Sequence, residues 1–261
     1  MSQSKVKILS GWSLPGGSTT HHISLTNLLN DNGVDCTFYG PHEWHLDKCE
    51  GDLHPNFILD ENDILISHFI NIDKSAKCRK HILSCHETKL FPLSTLPLAG
   101  YDVIQFVSDS QKEWHGVEHP FVIIPPLVEK ITWESPQNKV AGIIGSIDHN
   151  KQVHKSLERA LDSGYKKVLI FGDITDLPYF DEFVSPFVDN GQAVLMGQEG
   201  DRNKMYGQIS EIFHSSLSET YGLVEAECRL ATIPFNGNGN GQDILSEEEI
   251  LKKWKKVLSY Q

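Results

Sequence analysis

The stretch SETYGLVEAE, residues 218–227, sets two carboxylates, Glu219 and Glu227, either side of a short apolar run that contains Gly222. A third acid, Glu225, stands beside the second. Carboxylates accept hydrogen bonds, including those of vicinal hydroxyls on a ribose or a hexose. EIFHSS (211–216) reads as a strand and LVEAECRLA (223–231) as the helix after it. Glu219 then falls in the loop, and Glu227 lies beyond the first helical turn on the same general side as Gly222, Leu223 and Val224. The backbone N–H groups near those three residues would face an anion such as phosphate. An acid before a helix also complements the helix dipole, so Glu219 alone needs no function. Together the residues suit a ligand with sugar hydroxyls at both ends and pyrophosphate between them: a nucleotide sugar.

Two more loops fit that chemistry. In GWSLPGGSTTHH (11–22) a strand ends, the chain turns through Pro15, Gly16 and Gly17, and a helix begins near Ser18. Glycines admit close backbone approach, and the helix start offers N–H groups to an anion. The pattern is not GxGxxG, so the nicotinamide fingerprint fails. A tight turn without a ligand explains the same residues equally well. In GIIGSIDHNK (142–151) a strand ends at Gly145, and Lys151 follows just before a helix, within reach of a phosphate. Most lysines are merely solvated, which is the plain alternative. The densest group of soft ligands is Cys78, His81, Cys85 and His86. It lacks the paired short spacings typical of zinc, so no metal site is expected.

Strand and helix signals that position these residues alternate along the chain. Strands are expected within 5–11, 34–40, 63–69, 80–86, 101–108 and 121–126, and again within 140–146, 166–173, 193–197, 211–216 and 231–235. Helices are expected at 24–33 and 153–164, each stopped by glycine, and at 247–258, where acids precede lysines as the dipole favours. This alternation implies parallel sheets covered on both faces. The order runs twice, with a change near the prolines at 125–126. We therefore expect an α/β chain of two Rossmann-like, doubly wound domains, 1–130 and 131–261, facing a cleft, with the last helix able to cross back. NGNGNGQD (236–243) reads as a flexible loop, a connector or a lid.

Bulk properties narrow the field. With 39% hydrophobic and 22% charged residues the chain is ordinary for a folded soluble protein. No apolar run reaches the roughly 20 residues of a membrane span. The start, MSQSKVKILSGW, lacks the pattern of a signal peptide, so a cytoplasmic protein is expected. The cysteines show no CxxC pair and are expected to be reduced. A net charge of −12 disfavours a grip on nucleic acid, leaving only a local patch such as Lys74, Lys77, Arg79 and Lys80 for DNA.

The combination resembles the retaining GT-B glycosyltransferases, family 4 in particular. Their signature runs E-G-F-G-L-V-L-L-E-A-M-A-x-G-x-P. This chain has Glu219, Tyr221, Gly222, Leu223, Val224, Glu227 and Pro234 at matching places. Further landmarks occur in order: the GG loop at Gly16 and Gly17, H-E at His86 and Glu87, VIIPPLV at 122–128, Gly145 with Lys151, and Gly197, Asp201 and Lys204. The resemblance implies a GT-B architecture and transfer of a hexosyl or pentosyl group, with retention, from a UDP- or GDP-linked sugar to a hydroxyl acceptor. It also implies that no metal or cofactor takes part. By the same resemblance Glu219 would hold hydroxyls of the transferred sugar and Glu227 the ribose. Gly16, Gly17, Lys151 and the amides at Gly222, Leu223 and Val224 would hold the pyrophosphate. Asp201 and Lys204 would lie near the base, and His86 by the reacting carbon.

Two departures stand out. Ser146 occupies the place of the family arginine that helps bind pyrophosphate, and Thr232 that of a glycine. Either His149, Lys155 or Arg202 supplies the missing cation, or donor affinity is lower. The chain is also short for the family, with insertions trimmed. A weak or inactive nucleotide-sugar-binding protein is therefore one alternative, and a glycosyltransferase acting on modified DNA bases another. Saccharide or small-molecule acceptors rank above DNA.

Overall fold

Short runs of buried apolar residues become strands here because helices cover both faces of their sheets. The computed structural model describes residues 5–10, 16–40, 57–68, 77–89, 92–95 and 97–259. The chain divides into two compact units, Met1–Leu127 together with Asp243–Gln261, and Val128–Gln242.

The first unit contains β1 (Val6–Ser10), α1 (Gly17–Asp31), β2 (Cys36–Tyr39), β3 (Ile64–His68), β4 (Lys80–Ser84), β5 (Val103–Phe106), α2 (Asp109–His115) and β6 (Phe121–Ile123). Its strands form one sheet in the order β2-β1-β3-β4-β5-β6. Every pairing is parallel. The registers bring polar residues distant in sequence side by side. Ser10 lies opposite His68 across β1 and β3, and Ser84 opposite Gln105 across β4 and β5.

The second unit contains β7 (Ala141–Ile144), α3 (Val153–Asp162), β8 (Val168–Phe171), α4 (Leu177–Tyr179), α5 (Ser185–Asp189), β9 (Ala193–Gly197), α6 (Arg202–Tyr206), β10 (Glu211–His214), α7 (Leu223–Ala231) and β11 (Phe235–Gly237). A π-helical turn, Phe180–Val184, joins α4 to α5. Its sheet is also all parallel, in the order β11-β10-β7-β8-β9. The strand order reverses between β7 and β10, and loops that leave such neighbours in opposite directions open a crevice at the strands' carboxyl ends.

The last helix, α8 (Glu247–Ser259), belongs to the first unit. Ile250, Trp254, Val257 and Leu258 join the cluster around Val6, Ile8 and Phe38. Ser246 and Glu249 form a reciprocal capping box at its start, with Glu249 N–H donating to Ser246 Oγ at 3.3 Å and Ser246 N–H to Glu249 Oε2 at 2.9 Å.

The first helix starts at Gly17, next to the start expected near Ser18, and its first turns bury Thr19, His21, His22 and Ile23. Burial against the sheet outweighs the weak helix preference of Thr and His. Two expectations need correction. The run 231–235 is not a strand. Ala231 ends α7, Thr232 turns left-handed at φ 59°, and pairing begins only at Phe235. Loop 236–243 is tied down rather than free. The short helices α2, α4, α5 and α6 have no counterpart among the elements expected from the sequence. The turn 11–15 and Lys74 lie outside the described residues. Among the described residues no helix is long and apolar enough to cross a membrane.

Candidate functional site

The loops after β7 and β10 meet where the second sheet reverses its order. β7 ends at Ile144, and Gly145, with a φ of 139°, leads the chain out of the sheet. Gly172, leaving the neighbouring β8, sits so close that a Cβ there would overlap the Gly145 carbonyl oxygen. Asp148 then shapes the loop. It accepts from Ser146 Oγ at 2.5 Å and from the Lys151 backbone N–H at 2.8 Å. This carries Lys151 towards the loop after β10, where its Nζ lies 2.6 Å from Glu219 Oε1.

His214, the last residue of β10, places Nε2 2.9 Å from the same oxygen. Burial alone would raise the Glu219 carboxyl. The Lys151 ammonium and the His214 hydrogen bond outweigh it and hold the group far below the usual carboxylate range. Glu219 is therefore an anion fixed by two cationic or donor partners, in a site mostly closed to water. Asn150 reinforces the approach of the two loops by donating to Ser218 O at 3.0 Å.

Gly222 caps α7 with φ 85°, a left-handed conformation that suits glycine. Glu225, in the helix's first turn, accepts from the backbone N–H groups of Asn240 at 2.7 Å and Gly241 at 3.1 Å. Asn240 Nδ2 in turn donates to Glu219 O at 2.5 Å. A side chain at Gly239 would collide with the Glu225 carboxylate. The alternating glycines and asparagines thus let the 238–241 backbone pack against the start of α7. Asn238 N–H adds a bond to His214 O at 2.9 Å.

Glu227 is buried within the same unit. Tyr206 Oη donates to its Oε2 at 2.5 Å, and Arg202 Nε lies 3.5 Å from Oε1. Burial and then the neighbouring carboxylate push the Tyr206 phenol well up. The Glu227 charge in turn raises Arg202.

No family model matches the sequence, and a search of curated proteins finds no match. Solved structures do match over nearly the whole chain. TarM aligns with a TM-score of 0.67 at 10% identity, over 98% of this chain and 92% of its own. Anabaena Alr3699/HepE in complex with UDP-glucose aligns at 0.66 and 12%, over 98% and 91%. WaaG, a glycosyltransferase involved in lipopolysaccharide biosynthesis, aligns at 0.62 and 12%, over 98% and 90%. The fold is that of the GT-B glycosyltransferases. At such identities the likeness is one of fold.

Within the GT-B frame, the other expected site residues separate into groups. Ser146 has its hydroxyl committed to Asp148, and His149 stacks edge-on against Tyr179 with ring centroids 5.0 Å apart. Of the cations considered as a replacement at that position, Arg202 pairs with Glu227. Asp201 caps α6 by accepting from Lys204 N–H at 3.1 Å, and Lys204 Nζ pairs with Glu199 at 2.5 Å on the surface. Both have local structural work. Gly16 and Gly17 open α1 in the first unit. Gly16 is extended at φ −175°, and a Cβ there would meet open space.

His86 follows β4 and packs among His21, His22 and His68. Its suspected ligand partners do not gather around it. Cys85 Sγ faces His115 Nε2 at 3.6 Å, and His81 bonds Ser67 Oγ at 2.8 Å. Sequence reasoning named Glu225 without giving it a role, and missed His214 and Asn240. Only His214 carried a usable signal, its place as the last residue of a strand that precedes the motif loop.

Proposed function

We propose that this chain is a retaining glycosyltransferase that moves a sugar from a UDP- or GDP-linked donor to a hydroxyl of a saccharide or small-molecule acceptor, with no metal at the pyrophosphate. The observation that carries the proposal is the Lys151–Glu219–His214 group beside the start of α7, at the strand reversal of the second sheet. The GT-B fold, shared with a protein whose structure holds UDP-glucose, adds support.

In this reading Glu219 accepts hydrogen bonds from hydroxyls of the transferred sugar. Being anionic already, it orients them without a change of protonation. As the anomeric bond breaks, negative charge grows on the diphosphate. Lys151 and the amides of Leu223 and Val224 at the start of α7 stabilise it there, fixed donors aimed at developing charge. The sugar gains oxocarbenium character as in other glycosidic chemistry. Glu227 receives the ribose hydroxyls, with Tyr206 and Arg202 holding its carboxylate in place. Asp201 and Lys204 fix the short helix that carries Arg202. In the first unit, Gly16 and Gly17 offer a helix start suited to an anion, and His86 serves the acceptor.

One observation favours a second reading, a nucleotide-sugar-binding protein of low turnover. Ser146 brings no charge where the family has arginine, and its hydroxyl is spent on Asp148. A thermal-shift panel of nucleoside diphosphates and their sugars tests the shared premise. A true donor at 100 times its Kd adds about 2.7 kcal/mol of stability. Release of nucleoside diphosphate then separates the two readings. Glu219→Gln and Lys151→Met should each lower turnover about 100-fold or more, the scale of losing one transition-state donor. A panel with no shift for any nucleotide would end both readings. Turnover that requires added Mg2+ or Mn2+ would refute the absence of a metal at the pyrophosphate.

A further inference from the structure

The first sheet also reverses its strand order, between β1 and β3, and the carboxyl ends of β1, β3 and β4 gather histidines there. His68 ends β3, His86 follows β4, and His21 and His22 come from α1. Ring centroids lie 4.8 Å apart for His21 and His86, 5.0 Å for His22 and His86, and 5.2 Å for His21 and His22. One ring nitrogen from each of His21, His22 and His86 falls within 4.8 Å of the other two.

Hydrogen bonds fix the protons on two of these rings. Gln105 Nε2 donates to the carbonyls of Ile124 at 2.6 Å and Phe106 at 3.2 Å, which turns its Oε1 towards Ser84. Ser84 Oγ must therefore donate its single proton to Gln105 Oε1, at 2.7 Å. His22 Nε2 at 3.0 Å and His86 Nε2 at 3.1 Å can then only donate to that hydroxyl. Both neutral rings are left with a bare lone pair at Nδ1. For His22 that atom is buried with no hydrogen-bond partner, and the same holds for both ring nitrogens of His21. An unsatisfied buried polar atom costs about 1–3 kcal/mol, so three of them in one cluster call for an occupant.

We propose that His21, His22 and His86 form a binding site for a divalent transition-metal ion of the zinc class. Neutral imidazoles are the preferred ligands of such ions, whereas Mg2+ and Ca2+ take oxygen. Zn–N bonds of about 2.0–2.1 Å set tetrahedral ligand atoms roughly 3.4 Å apart, so the rings close by about 1 Å on loading. His68 lies beside the site, 5.2 Å and 5.3 Å from His22 and His86 by ring centroid. Glu87 Oε1 stands 3.4 Å from His68 Nε2 and brings negative charge to offset the cation. Burial keeps these rings uncharged. It lowers His21 to about 3 and His22 and His86 well below the ordinary histidine value, with neighbouring histidines adding to the effect. His86 is shared with the acceptor role proposed above, but the test of the metal site needs no nucleotide.

The whole chain, stripped with a chelator, is titrated with Zn2+ by calorimetry and with Co2+ by visible absorption. One equivalent should bind, and Co2+ should show ligand-field bands of a low-symmetry nitrogen site. His21→Ala and His22→Ala should each weaken binding at least tenfold, and His154→Ala, in the other unit, should leave it unchanged. Ser84→Ala keeps every ring but frees the tautomers, and should weaken binding about tenfold, as loss of an orienting partner does. Absence of saturable binding, or binding indifferent to His21 and His22, overturns the proposal and assigns the cluster to water. If the alanine variants fail to fold, X-ray absorption of the Zn2+-loaded wild type decides, and fewer than three imidazole ligands refutes the site.

Discussion

Removing the Lys151 ammonium should expose how tightly the Glu219 charge depends on it. The pair is 2.6 Å apart, with side chains 23% and 14% exposed. Breaking a buried ion pair on one side costs about 3–5 kcal/mol, because the surviving charge stays desolvated. His214 still bonds Glu219, so the lower end, about 3 kcal/mol at pH 7, is expected for Lys151→Met. Replacing both residues, Lys151→Met with Glu219→Gln, removes the stranded charge and should recover at least about 1 kcal/mol of that loss. The pH dependence has a definite sign. In the wild type the folded Glu219 carboxyl lies below its unfolded value of about 4.3, so its contribution is full above that pH and fades as pH falls through the folded value. In Lys151→Met burial dominates, the folded carboxyl rises, and protonation relieves the variant at higher pH. The gap between the two proteins should therefore narrow as pH falls from 7 towards 4. Urea unfolding at both pH values, with a slope of about 1–3 kcal/mol per molar, should show a midpoint shift of about 1 M or more at pH 7. Additivity of the two substitutions within about 0.5 kcal/mol, or a gap that does not change with pH, would refute the coupling.

Glu225→Ala should release loop 238–241 without unfolding the unit, read as faster hydrogen exchange at the Asn240 and Gly241 amides. Tyr206→Phe removes a 2.5 Å bond to a buried carboxylate and should cost about 1.5–3 kcal/mol in thermal or urea unfolding. Trp254→Ala should cost the first unit about 3–5 kcal/mol, because the indole is fully buried where α8 docks on the sheet. Gly172→Ala should sharply lower the melting temperature, since φ 144° and the Gly145 carbonyl oxygen both exclude a Cβ.

The histidines show where sequence reasoning stops. His21 and His22 sit in a run, GSTTHH, that reads as the start of a helix and gives no sign of what its histidines face. His68 is the last residue of an apolar strand, and His86 is eighteen positions further on. Nothing local ties them together. They meet because parallel pairing sets Ser10 beside His68 and Ser84 beside Gln105, and because α1 returns across the ends of those strands. Glu225 is a similar case. Beside Glu227 it reads as a surface acid, yet it bonds backbone N–H groups fifteen and sixteen residues away.

What the chain states on its own is local. Apolar runs closed by glycine mark the strands, periodicity and a dipole-matched charge order mark α3 and α8, and the Glu219–Glu227 spacing marks the loop and helix that carry the motif. These come from steric and hydrophobic preferences that act over a few residues. Strand order, the seat of α8 on the first sheet, the partners of Glu219 and the gathering of histidines were decided only by the folded chain. Each depends on which distant surfaces bury one another, and that is a property of the whole packing rather than of any segment.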